Sequence, residues 1–507
     1  MKHTNILTLL MAAIILLSGC SKDFIEQSNP NAVSVEKGFA SESDITAGVY
    51  GVYQALRNNN CVGEGASLWT DDRADDINTT DNQSNNGEPF QFTAFSLVPS
   101  NTWLLNHWTA LYTPISRANL ILSAMPNIKF ASEDTRKAYD GELRFIRAFM
   151  YYNLVKEFGD VPVVTERLTS AEQAEALTVR VKREKVYELI VADLKSALAS
   201  NIAVSQTAAN KGRVSMQAVN ALLGKVYLTM ATSFETGKAE NLNAAKKYLT
   251  DCYQQRGFTK LSDIPFEDVF NVTKKSTNPE IIWQIVYKQG DAALSSALAR
   301  NNQARGENIN SLFVSQGNGA LFTNDLLKEF EVGDLRTTFS VKFAATSNRY
   351  FITKFRDASA GAGTLGYGGN DWILMRYADV ILNLAEVHML LNETAAAISY
   401  LNMVRERAKR PTYETMQQDA AWVARYPTLK LAILHERRVE LAFEHNRWHD
   451  LTRFFNATEL VAYFKSKSQA DYDNSPLSNI TTKDYFFPIP YKEYLINPAG
   501  MYQNPGY

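Results

Sequence analysis

The stretch that decides the fold runs from Trp372 to Ala408, WILMRYADVILNLAEVHMLLNETAAAISYLNMVRERA. From Ile373 a stripe repeats at Tyr377, Ile381, Leu384, His388 and Leu391, which is the spacing of one helix face. A second stripe follows at Ile398, Leu401, Val404 and Ala408. Only Asn392, Glu393 and Thr394 separate the two, so the helices must run antiparallel. Ala385 and Ala397 are small residues placed where two helix backbones approach closely. This is the pattern of a tetratricopeptide hairpin over 373–408. One hairpin cannot bury its own apolar face, so the chain should hold others.

Working outward, the same periodicity recurs. Ser41 to Leu56 carries a stripe at Ile45, Val49, Val52 and Leu56, with Asp44 or Ser43 as cap. A helix runs through Leu111, Ile115, Ala118 and Leu122. Asp140 to Phe158 is helical and closed by Gly159. Arg183 to Leu198 follows, then a pair at Met216–Met230 and Leu242–Tyr253, in which Gly224, Tyr227, Ala244 and Tyr248 echo the hairpin. Thr428 to Phe443 is a further helix. Between Phe258 and Gly369 the period changes: Ile281–Tyr287, Phe339–Phe343 and Arg349–Phe355 read as strands, and Gln289–Gly319 is irregular. The expected class is mainly α, with a loop-rich, partly β second half.

The chain has 507 residues, 45% of them hydrophobic, enough for a real core and against global disorder. A net charge of −2 gives no electrostatic case for nucleic acid. Aromatics make up 11%, which serves either a stacking surface or bulky core packing. The first residues form a targeting segment: Lys2 and His3, then the apolar run Ile6 to Leu17, too short to span a membrane. It ends in Leu17-Ser18-Gly19-Cys20, the pattern of a lipoprotein signal peptide over 1–19 with Cys20 lipidated. Two or three acyl chains, at ~0.8 kcal/mol per buried methylene, anchor a protein stably. Whether Cys61 and Cys252 pair is open.

Gly361-Ala362-Gly363-Thr364-Leu365-Gly366 matches a dinucleotide-loop spacing but opens no helix, so it reads as a flexible loop. His445 and His449 lie four apart without a third ligand, so solvated imidazoles at a helix end are expected rather than a metal site. Glu436, Glu440 and Glu444 form a ladder beside Arg437, Arg438, Arg447 and Arg453. Paired carboxylates can serve glycoside hydrolysis, but an arginine-flanked ladder on one helix should be ionised and structural. The positive signal is Trp69 to Trp108. The polar, Asn-rich stretch from Trp69 to Glu88 is too long for a connection. Asp71, Asp72 and Arg73 offer hydrogen bonds, and Trp103 and Asn106 offer a flat apolar face and an amide. Sugars bind in that way, with CH faces on aromatics and hydroxyls on planar polar groups; core packing is the alternative for Trp103.

The chain resembles the SusD/RagB family of outer-membrane nutrient-binding lipoproteins of Bacteroidota. The resemblance rests on Leu17–Cys20, Trp108–Leu120 (WTALYTPISRANL), Glu142–Val163, Arg376–Glu386 (RYADVILNLAE), Glu436–Arg453 (ERRVELAFEHNRWHDLTR), Phe487–Pro490 and Asn504–Tyr507. It implies four tetratricopeptide-like pairs, an N-terminal helical region over 20–257 and a C-terminal region with variable loops over 258–507. It implies no catalysis and no cofactor. The partners it implies are an oligosaccharide or other nutrient, and a SusC-like TonB-dependent transporter in the outer membrane. The ligand site it implies uses Asp71, Arg73, Trp103 and Asn106, completed by Trp283, Tyr287 and Phe313 of the variable region. A surface glycan-active hydrolase and a tetratricopeptide scaffold for protein partners stand as alternatives.

Overall fold

A computed structural model describes residues 38–77, 82–302, 321–345, 348–363, 367–472 and 476–507. Cys20, Phe313 and the last three residues of the Gly361–Gly366 loop therefore lie outside the described residues.

The helical half follows the periodicity closely. Helix α1, Glu42–Ala55, starts at a capping box in which the Ser41 hydroxyl accepts from the Asp44 N–H and the Asp44 carboxylate accepts from the Ser41 N–H. The cap is thus Ser41, with Asp44 as its reciprocal partner. Helix α2, Thr102–Ala124, is capped by Asn101, whose side chain accepts from the Leu104 N–H at 3.0 Å. Helix α3, Glu133–Phe158, opens two turns earlier than the apolar pattern suggests, because Ser132 caps a polar, exposed first stretch that carries no stripe. It ends at Gly159, whose φ of 75° lies in the left-handed region. Helices α4 (Arg183–Leu198), α5 (Met216–Ser233) and α6 (Lys238–Gln254) follow. Helices α7 (Tyr377–Leu390) and α8 (Thr394–Arg407) are the hairpin, and α9 is Leu429–Glu440.

From α1 to α8 each helix packs on the next in sequence, giving four consecutive pairs among the described residues. The α5–α6 contact shows why small residues are needed. A Cβ on Gly224 would stand 2.4 Å from Cγ of Leu249, and beside it the rings of Tyr227 and Tyr248 stack at 5.7 Å.

The first four residues expected in the hairpin's first helix, Ile373 to Arg376, are not helical. Trp372–Arg376 forms strand β6, paired antiparallel with β3, Ile281–Ile285. A short apolar run fits both periods, and here a buried edge of β3 needs a partner, so the extended form wins. Among the described residues the other strands are two short pairs: β1 (Val161–Pro162) with β2 (Arg180–Val181), and β4 (Val341–Ala344) with β5 (Arg349–Ile352). Phe339 and Ser340, the first two residues of the expected strand Phe339–Phe343, instead end the short helix Leu335–Ser340.

The main core takes residues from Ile45 to Met501, so both halves of the chain share it. The C-terminal tail closes the molecule. The Phe487 N–H donates to the Glu157 carbonyl at 2.7 Å, and Asn504 Nδ2 donates to the Phe158 and Phe487 carbonyls at 2.9 and 2.7 Å. The tail thereby satisfies carbonyls left open at the end of α3.

Candidate functional site

The glutamate ladder is buried and fully engaged. Glu436 accepts from Arg336 at 2.6 Å and Arg405 at 2.9 Å. Glu440 accepts from Arg376 at 2.6 Å, Arg336 at 3.0 Å and Arg407. Glu444 takes Arg376 at 2.7 Å and Lys354 at 2.6 Å. Burial pushes the Glu440 carboxyl up, but Arg407, Arg376 and Arg336 more than offset this and hold it at about 2. Glu436 and Glu444 are lowered in the same way against their burial. A general acid needs the opposite shift, so these carboxylates are scaffold.

The stretch from Trp69 to Ile77 turns inward. Asp71 is buried and accepts from the backbone N–H groups of His445 and Arg447 at 3.0 and 3.3 Å. Arg73 has no exposed surface; it donates to the Asp484 carbonyl at 2.8 Å and lies over the rings of Trp448, Phe95 and Phe487. Asp75 pairs with Arg447, and Asp76 with Arg438. The polar composition belongs to an internal ion network, and Asp71 and Arg73 cannot reach a ligand in this conformation. Trp283 is likewise core: it is fully buried, its Nε1 donates to the Gly212 carbonyl at 3.0 Å, and it stands edge-on to Phe145 and Phe149.

His445 and His449 are largely buried rather than solvated. They border a small cavity of ≈80 Å³ between the halves of the chain. Burial holds the His445 imidazole down at about 3, and burial with the Lys156 charge depresses His449. Among the described residues no group of three or more His, Cys, Asp or Glu is arranged to hold a metal. Cys61 and Cys252 are buried and unpaired.

Of the remaining expected residues, Tyr287, but not Trp103 or Asn106, lines an open cleft of ≈550 Å³. Its floor comes from the end of α1 and the following turn, with Arg57, Asn58 and Asn59; one wall comes from α2, with Ala110, Thr113 and Arg117. The facing wall holds Tyr287, the 292–297 turn, Arg300 and Tyr367. Tyr287 is buried at this wall, with the Arg57 guanidinium 4.7 Å above its ring. Trp103, Asn106, Ala110, Thr113 and Arg117 fall on one face of α2 by helical spacing. Asn106 is therefore exposed one turn beyond the cleft, and Trp103, half-buried against the core, lies one turn further. Glu64 also borders the cleft; it accepts from the Ser296 hydroxyl and, at 2.9 Å, from the Ala297 N–H. Burial raises its pKa, and these bonds partly offset the rise.

Arg57, Arg117, Arg300 and Tyr367 were not singled out from the sequence. Arg117 had a signal, since it continues the Trp103–Asn106 face; the others arrive from separate turns. Among the described residues no helix is long and apolar enough to cross a membrane.

Comparison with known proteins agrees with this architecture. A model described as the SusD family matches residues 333–507, and one described as starch-binding associating with outer membrane matches 23–228. SusD-like protein P2 of Formosa agariphila is 26% identical over 524 residues, covering 97% of this chain and 98% of the relative. A SusD-like protein of Bacteroides ovatus is 23% identical, covering 74% of this chain and 70% of its own. Among solved structures, a laminarin-binding SusD-like protein superposes with a TM-score of 0.72 at 23% identity, covering 92% of this chain and 100% of that one. Surface glycan-binding protein A from Bacteroides thetaiotaomicron does so at 0.73 and 19% identity, with 92% and 100% covered. With its two ends matched by the family's models and nearly its whole length by relatives and by fold, the chain belongs to the SusD/RagB family.

Proposed function

We propose that this is a glycan-binding lipoprotein of the cell surface, anchored in the outer membrane through Cys20, which passes an oligosaccharide to a SusC-like TonB-dependent transporter. The observation that carries the binding role is the cleft itself. At ≈550 Å³ it is in the size range of small-molecule sites, and it combines aromatic rings, amides and guanidinium groups. Tyr367 offers ring surface, the buried Tyr287 ring backs Arg57, and Asn58 and Asn59 offer amides to hydroxyls. Asn106 and Trp103 extend the same surface along α2. Support comes from the relatives, whose names speak of starch, laminarin and surface glycans.

Binding without cleavage fits the charges better than hydrolysis does. Glycoside hydrolysis needs two carboxylates across the scissile bond. Among the described residues lining the cleft the sole carboxylate is Glu64, and it is held by Ser296 and Ala297. A protein-docking scaffold fits less well too, because Tyr377 to His388 of α7 are buried all round.

The test is calorimetric titration of the mature chain against a panel of oligosaccharides, with chromatography of each sugar afterwards. The reading expects binding of one glycan class with every bond intact. Shortened products, or no binding by a folded protein, contradict it.

A further inference from the structure

Arginines in this protein are mostly paired. Arg336, Arg376, Arg405, Arg437, Arg438 and Arg447 each hold one or more carboxylates in buried contacts. The cleft breaks this pattern. Its described lining carries four residues charged at neutral pH: Arg57, Arg117, Arg300 and Glu64. Glu64 is occupied by the turn it holds. Among the described residues none of the three arginines makes a contact ion pair, although the whole chain carries a net charge of −2; Arg57 acts at longer range on the Glu64 and Asp371 carboxyls, and no carboxylate of the lining touches Arg117 or Arg300. Arg117 gives one N–H to the Gly51 carbonyl at 2.7 Å, which fixes its direction and leaves its other donors free. Arg57 is fixed by the Tyr287 ring at 4.7 Å. Arg300 is exposed at the short helix Leu298–Asn301.

Two guanidinium groups without a carboxylate partner, Arg117 and Arg300, thus meet a third, Arg57, in one cleft whose lining holds a single carboxylate. Neutral sugars call for amides and aromatic faces, and gain little from a concentration of like charge. Such a concentration costs repulsion until an anion enters, and the guanidinium fork matches carboxylate and sulfate oxygens bidentately. We propose that the cleft takes an acidic glycan, one whose sugars carry carboxylates or sulfate esters, with Arg57, Arg117 and Arg300 as the groups that select it. This rests on the glycan-binding reading above and names its ligand class.

The experiment titrates the Cys20→Ala chain, free of its anchor, with four probes: oligogalacturonate, a sulfated carrageenan oligosaccharide, a neutral laminari-oligosaccharide of similar length, and poly-glutamate. The two acidic sugars separate carboxylate from sulfate recognition. At least one should bind about tenfold or more tightly than the neutral sugar, and added salt should weaken it. Arg117→Gln and Arg300→Gln, both at exposed positions, should each cost about tenfold, as expected for loss of a charge-assisted hydrogen bond. Binding of the neutral sugar with equal or better affinity, or indifference to both substitutions, overturns the proposal and leaves glycan binding standing. Equal binding of poly-glutamate reduces the cleft to a general anion surface and also overturns it. No binding of any sugar by a chain with native circular dichroism removes the glycan-binding reading and this proposal together.

Discussion

Arg73 and Asp484 are joined across 411 positions of chain: the guanidinium donates to the Asp484 carbonyl at 2.8 Å and to its carboxylate at 3.3 Å, with both side chains wholly buried. The contact ties the inward-turned stretch after α1 to the tail that closes α3. Removing one member of a buried charge pair strands the other, at a cost of about 3–5 kcal/mol. Arg73→Ala should therefore lower the melting temperature by several degrees and leave glycan affinity unchanged below the transition. A loss of affinity with unchanged melting would return Arg73 to the binding surface.

The glutamate ladder makes stability depend on acid. Glu440 titrates at about 2 in the fold against an ordinary 4.5, so its contribution is complete above about 4.5 and is lost as pH falls towards 2. Glu440→Gln should cost a few kcal/mol at neutral pH, since it leaves Arg336, Arg376 and Arg407 with one acceptor fewer. The gap to the parent should narrow as the pH is lowered through that window. Thermal melts of both proteins across the range check the sign; a gap that widens in acid contradicts it.

Cys61 and Cys252 are separate, buried thiols, and burial pushes Cys61 up to about 12. In the Cys20→Ala chain a thiol reagent at neutral pH should find almost nothing to label in the native protein. After denaturation without reductant it should find both thiols. Labelling that appears only after reduction would show a disulfide.

The helical pairs were legible because their signal is long and periodic. Arg183–Leu198 coincides with its helix, and Gly224, Tyr227 and Tyr248 meet as their spacing suggested. Ile373–Arg376 is strand where a helix is expected, because four apolar-rich residues do not distinguish a helix turn from a buried strand. The stretch from Trp69 to Ile77 misled for another reason. Its charges are satisfied by Arg438, Arg447 and Asp484, more than 360 positions away, and local composition carries no trace of such partners. Of the cleft lining, only Tyr287 was among the residues the sequence singled out; Trp103 and Asn106 lie further along the α2 face. Arg57 and Arg300 come from unrelated turns that only the fold brings together.

Anchoring can be tested apart from binding. Cys20→Ala should move the protein from the membrane fraction to the soluble fraction of cells that lack the partner transporter. Unchanged membrane association in that strain would contradict attachment through Cys20.

The most direct measurement is a crystal structure of the mature chain with a bound oligosaccharide. The account expects an uncleaved sugar in the cleft between Arg117 of α2 and Tyr367, in contact with the wall that holds Tyr287. A sugar bound elsewhere, for instance in the ≈590 Å³ hollow beside Phe270 and Phe339, or a cleaved product, would contradict it.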